Sequence, residues 1–110
     1  MRVLAEASMP MAIEATMRRL FPRHCVQLGP HGCVQTVRDA IARGKSFGFE
    51  NAQLPAYVSL EFSFGTDFST NAEYAWAQEL LHDRQAASAP RMQSLRTKAI
   101  FYLARLAEDA

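Results

Sequence analysis

The sequence predicts an all-α fold, a single compact bundle of about five helices spanning residues 1–110. Three observations carry that prediction. Apolar residues recur at spacings of three and four in several separate stretches, the mark of helices with one buried face. Ser, Thr, Asn, Pro and Gly punctuate those stretches where helices start and stop. The single run that alternates like a strand has no second alternating run to pair with, and a lone strand leaves its backbone groups unbonded.

The first helix is expected over 9–21, MPMAIEATMRRLF, with Met9, Ile13, Met17, Leu20 and Phe21 on one face. Ser8 is placed to cap it, Pro10 suits a first turn, and Pro22 disfavours helical geometry just before it. Arg18, Arg19 and Arg23 then gather at a helix C-terminus, where cations suit the dipole. HCVQLGPHGC (24–33) reads as a turn-rich link. A second helix over about 31–47 has Cys33, Val34, Val37, Ala40, Ile41, Gly44 and Phe47 as its apolar stripe. Arg38, Asp39, Arg43 and Lys45 are expected to face water. Gly44 costs roughly 1 kcal/mol against Ala in a helix, which suggests a close helix contact or fraying. Gly48 is a natural stop.

The stretch 54–77 holds five of the ten Phe and Tyr residues and the only tryptophan. Within it VSLEFSF (58–64) alternates with period two, a strand signal. A helix from about Ala52, capped by Asn51 and stopped at Gly65, satisfies its own backbone instead and is favoured for that reason. After a loop over 65–71, Thr70 and Glu73 have capping-box spacing for a fourth helix with Tyr74, Ala77, Leu80 and Leu81. Ser88 and Pro90 open a last helix. Its stripe of Met92, Leu95, Ala99, Tyr102, Leu103 and Leu106 is the most regular in the chain, and about 28 Å of helix would brace the whole domain.

A formal charge of +1 gives no electrostatic case for nucleic acid or an anionic membrane. No apolar run is long enough to cross a bilayer, and Glu6 and Pro10 interrupt any signal-like core, so a cytoplasmic protein is expected. Two cysteines are too few for a secreted disulfide framework. His24, Cys25, His31 and Cys33 are the only cluster of metal-type ligands, but eight positions between the cysteines fits no familiar zinc knuckle, and no metal or cofactor is expected. Cys25 beside His24 has no identifiable orienting group for nucleophilic catalysis. Glu61, set among apolar neighbours, is an acid–base candidate only if it floors a pocket; a carboxylate that points to solvent or pairs with an arginine of another helix is the competing expectation. Most of Phe62, Phe64, Phe68, Tyr74 and Trp76 must be core. Phe68 on its loop and Trp76 early in a short helix fit partly exposed anchors for a partner, with Asp67 serving as a local cap.

MRRLFPRHC (17–25), GKSFGF (44–49), AYVSLEFSFGTDF (56–68) and AWAQELLHD (75–83) together resemble a group of small bacterial proteins. These share a helix ending in F-P-x-x-C, a central helix leading into F-G-x-D-F, a P-W-A helix and a closing helix. They are often encoded beside type VI secretion spike, PAAR-repeat or toxin genes. The resemblance covers about residues 12–106 and is most specific at Phe21-Pro22, Cys25, Phe64-Gly65, Asp67-Phe68 and Trp76-Ala77. Departures are the absence of prolines near Ala72 and Ala75, of an acid near Ser59, and a shorter first helix. It implies a helical 52–64 and an accessory role without catalytic residues: a chaperone-like adaptor for an effector, spike or chaperone component, or alternatively an immunity protein. The partner surface is then expected at Asp67, Phe68, Tyr74 and Trp76.

Overall fold

A computed structural model describes residues 2–109, and the side chains of residues 9–109. The fold is all-α: α1 (Arg2–Leu20), α2 (Pro22–Ser46), α3 (Leu54–Phe64), a single 3-10 turn (Ala72–Tyr74), α4 (Ala75–His82) and α5 (Ser88–Asp109). The alternating run is therefore helix. With Leu54, Tyr57, Val58, Leu60, Glu61 and Phe62 buried, α3 is covered on most sides, as a central helix must be.

The first helix is longer than its sequence pattern suggests, so Ser8 and Pro10 lie inside it rather than at its start. Pro10 costs α1 one backbone hydrogen bond. Ile13 and Met17 carry the buried face, while Leu20 is exposed, a departure from the expected stripe. The link expected over 24–33 shrinks to one residue. Pro22 begins a short helical segment, Gly29 leaves helical geometry at φ 77° and ψ 168°, and Pro30 restarts the helix in the first turn of the next segment. Arg18 braces this kink from α1: its Nη2 donates to the Pro30 carbonyl (3.4 Å) while its Nε pairs with Glu14 (2.6 Å).

After α2, the Phe49 N–H donates to the Gly44 carbonyl (3.1 Å) and the Gly48 N–H to the Lys45 carbonyl (2.9 Å), closing the helix at Gly48 as expected. Gln53, not Asn51, immediately precedes α3, and Pro55 occupies the first turn. Helices α1, α2 and α3 pack together, α4 packs along α5, and α5 also touches α3. The molecule is only 19 Å across its thinnest dimension, about two helix diameters, against 43 Å along its longest.

Gly44 sets the α2–α3 distance. A Cβ there would come within 2.8 Å of Leu54 Cδ2 and 3.0 Å of the Tyr57 ring. The close contact anticipated at Gly44 is thus realised, and Tyr57 fills the space, flanked by Phe47 and Phe49 at ring-centroid distances of 6.0 and 5.8 Å. Gly44→Ala gains about 1 kcal/mol of helix propensity but overpacks this contact by about 1–3 kcal/mol. Urea denaturation should therefore show a net loss of about 1 kcal/mol, and Gly44→Leu, which cannot be absorbed by a shift of Leu54, a far larger one.

Candidate interaction surface

Gly65 ends α3 and the next six residues close on Asp67. Its carbonyl accepts from the Thr70 and Asn71 N–H groups (both 2.9 Å) and from the Thr70 hydroxyl (3.2 Å), and its carboxylate accepts from Asn71 Nδ2 (3.1 Å). The cap of the following turn is Asn71, whose Oδ1 accepts the Glu73 N–H at 2.9 Å, rather than the expected Thr70–Glu73 box. Thr70 is spent on the loop itself. In a loop closed this tightly the side chain after Asp67 turns inward.

Phe68 is consequently fully buried, which corrects the expectation of an exposed anchor. It stacks on Phe64 at 5.4 Å and 19° and meets Tyr74 and Trp76 at 5.6 and 5.7 Å. Tyr102 from α5 completes a cluster of five rings, 5.7 Å from both Tyr74 and Trp76. Two phenols anchor it: Tyr74 donates to the Phe64 carbonyl (3.3 Å) and Tyr102 to Glu73 Oε1 (3.2 Å). The Trp76 indole N–H has no partner among the described residues. Of the four residues expected to bind a partner, Asp67 is exposed but occupied in its own loop, Phe68 is core, and Tyr74 and Trp76 are half-buried at the edge of the cluster.

The larger exposed apolar surface lies beside that edge. On α5 the stripe Met92, Leu95 and Ala99 is buried, but the same face continues past the body of the protein. Leu103 and Leu106 are 49 % and 47 % exposed, and Ile100 and Phe101 beside them 66 % and 70 %. The helix thus braces the domain with its first half only, not along its full length as the stripe suggested. Trp76, Lys98, Phe101, Tyr102, Ala104, Arg105 and Glu108 line a shallow groove along one flank of this overhang, and Met92, Gln93, Arg96 and Ile100 help to line another.

The remaining ionisable candidates point inward. Glu61 is buried and takes a bidentate pair from Arg43, Nε at 2.8 Å and Nη2 at 2.6 Å. Arg43, expected to face water, is drawn over α3 by that carboxylate. Glu61 lines none of the grooves described, and burial together with the Glu61 charge raises the neighbouring Tyr57 phenol above its ordinary range. Arg91, to which the sequence assigned nothing, is the least expected. It is buried and donates to the Leu80 and Leu81 carbonyls (3.1 and 3.0 Å) and to the Phe47 carbonyl, with its guanidinium 4.7 Å over the Phe49 ring. Burial lowers its pKa. Only the position of Arg91 one turn into a helix that starts beside Pro90 hinted at it, and that signal names no partner.

His24 and His31 are exposed, and His24 lies edge-on to Phe62 at 5.3 Å. Among the described residues no three His, Cys, Asp or Glu side chains converge on a point. Nor does any helix among them have the length and apolarity to cross a membrane. Neither a known protein family, nor a characterised protein, nor a solved structure shows significant similarity to this chain.

The Arg43–Glu61 pair is unequal: the Glu61 side chain is wholly buried while Arg43 keeps 35 % of its surface in water. Arg43→Ala strands a buried carboxylate and should cost about 3–5 kcal/mol, whereas in Glu61→Ala the arginine rehydrates and the loss should be at least about 1 kcal/mol smaller. A double-mutant cycle by chemical denaturation checks both the asymmetry and the coupling. A second outcome concerns pH. Burial and Cys33 push the Cys25 thiol up to about 11. Since an unfolded thiol titrates near about 8.5, the stability held by the neutral thiol is intact below that pH and lost as pH rises towards about 11. Unfolding free energy measured from pH 7 to 11 should fall across that window, and less steeply in Cys25→Ala.

Proposed function

We propose that the protein is a non-enzymatic, cytoplasmic adaptor that binds an amphipathic helix of a secretion-system component: an effector, spike or chaperone. The observation that carries this reading is the uncovered second half of the α5 stripe. Apolar residues at helical spacing, buried for the first half of a helix and exposed for the second, are suited to a partner helix that continues the packing. Tyr102 and Trp76 flank that stripe with half-buried aromatic surface, the residue types that dominate binding energy at protein interfaces.

The rim gives the partner a sign. Arg96, Lys98 and Arg105 flank the apolar residues, and Glu108 and Asp109 follow at the tip. A partner helix with acidic flanks opposite the three cations and a basic residue opposite the tip meets both, which fixes its direction. Glu61 and Cys25, the side chains on which an enzyme would most readily be built, are buried against Arg43 and Cys33, and this supports a binding role. The link to type VI secretion rests on the resemblance at Phe21-Pro22, Cys25, Phe64-Gly65, Asp67-Phe68 and Trp76-Ala77. In this chain those residues build the scaffold: Pro22 starts α2, Gly65 ends α3, and Phe64, Phe68 and Trp76 form the ring cluster.

The test is affinity capture from the native host, with the co-purifying chains identified by mass spectrometry. Wild-type protein should retain a spike, effector or chaperone component. The double variant Leu103→Glu/Leu106→Glu should keep its stability within about 0.5 kcal/mol, as substitutions at exposed sites do, and lose the partner. Recovery of no such component, or equal recovery by the double variant, contradicts the reading. Phe68→Ala should instead cost about 3–5 kcal/mol through the cavity it leaves, so loss of capture in that variant would report unfolding and not an interface.

A further inference from the structure

We propose that Cys25 and Cys33 form a dithiol–disulfide site that staples the α2 kink when the protein meets a disulfide oxidant. The two residues lie on opposite sides of Gly29, one in each segment of α2, and both are buried. The Cys33 thiol donates to Cys25 Sγ at 3.2 Å, closer than two non-bonded sulfur atoms normally sit. A covalent bond needs the sulfurs at about 2.05 Å, a small further closure. The hinge at Gly29 supplies the means: a residue free to adopt positive φ lets the two helical segments adjust without disturbing the hydrogen bonds of either. Arg18, bonded to the Pro30 carbonyl, holds α1 against the same kink, so a bond there ties three helical segments together.

Both thiols are free in the structure. Conversion proceeds by exchange with a low-molecular-weight disulfide such as oxidised glutathione. One cysteine thiolate attacks a glutathione sulfur, forming a mixed disulfide and expelling one glutathione thiolate. The second cysteine attacks the protein-side sulfur of that mixed disulfide, forming the Cys25–Cys33 bond and expelling the other glutathione thiolate. Two electrons pass from the protein sulfurs to glutathione, and the two thiol protons end on the two glutathione molecules. Burial and the scarcity of thiolate at neutral pH make the exchange slow and dependent on local opening at the kink, which suits a conformational staple rather than a fast sensor.

The experiment is incubation of the folded 110-residue chain with excess oxidised glutathione at pH 8, followed by intact mass, alkylation after unfolding, and thermal melting. The expected product has lost two hydrogens, retains no glutathione, resists alkylation until reduced, and melts on the order of 10 °C higher than the reduced protein. The tryptic peptide 24–38 contains both cysteines and localises the change. Cys25→Ala and Cys33→Ala should each show no such rise. Two thiols still open to alkylation, a retained glutathione adduct, or a disulfide that leaves the melting temperature unchanged would each overturn the proposal. Should either variant fail to fold, the wild-type mass and melting curve alone decide.

Discussion

The position of α5 depends on a buried cation without a carboxylate. Arg91 donates to the last carbonyls of α4 and to the carbonyl that follows α2, groups that every helix leaves unbonded at its C-terminal end. Both helix dipoles present partial negative charge there, so one guanidinium satisfies two helix ends at once. Its face lies over Phe49, which keeps the plane of the group fixed. With the Phe47–His82 ring contact and the donation from Arg84 to the Ser46 carbonyl, this junction ties the end of α2 to α4 and α5 and so helps to set the angle at which α5 leaves the body.

That angle bears on the proposed docking role. With its N-terminal half held by Arg91, Met92, Leu95 and Ala99, α5 is a 22-residue rod, about 33 Å long, whose second half extends past the surface that anchors it. The ring cluster stiffens the exit point by locking Tyr102 between Tyr74 and Trp76. An exposed apolar face on a rigid, pre-positioned helix loses little freedom on binding, which favours its use as a docking element.

The number of helices, and the breaks at Gly29, Gly48 and Gly65, were legible because periodicity and punctuation are local properties of the chain; the helical turns from Pro22 to Gly29 were not, since Gly29, Pro30 and Gly32 made the whole of 24–33 look like a link. The helical state of α3 was legible too, since a strand needs a partner and none was available, and its burial followed from a segment apolar on most sides. What escaped were features fixed by distant residues. Arg43 looks like one more solvent-facing arginine until α3 brings Glu61 against it, and Arg91 bonds to carbonyls 10 to 44 positions away. Phe68 read as exposed because loops usually are; the closure of the loop on Asp67 turned it inward. The α5 stripe was correctly identified, but periodicity states which face is apolar and not how much of that face the body covers.

The central claim, that Arg91 holds α5 to the ends of α2 and α4, is tested most directly by equilibrium urea unfolding of Arg91→Met beside wild type. Methionine keeps much of the apolar stem and removes every donor, stranding the buried Leu81 carbonyl and the part-buried carbonyls of Leu80 and Phe47. A loss of about 2–4 kcal/mol is predicted, with Arg91→Lys, which keeps the charge but not the fork, falling between the two. An Arg91→Met protein as stable as wild type, or more so, would mean that desolvation of the guanidinium outweighs its bonds, and would contradict the account.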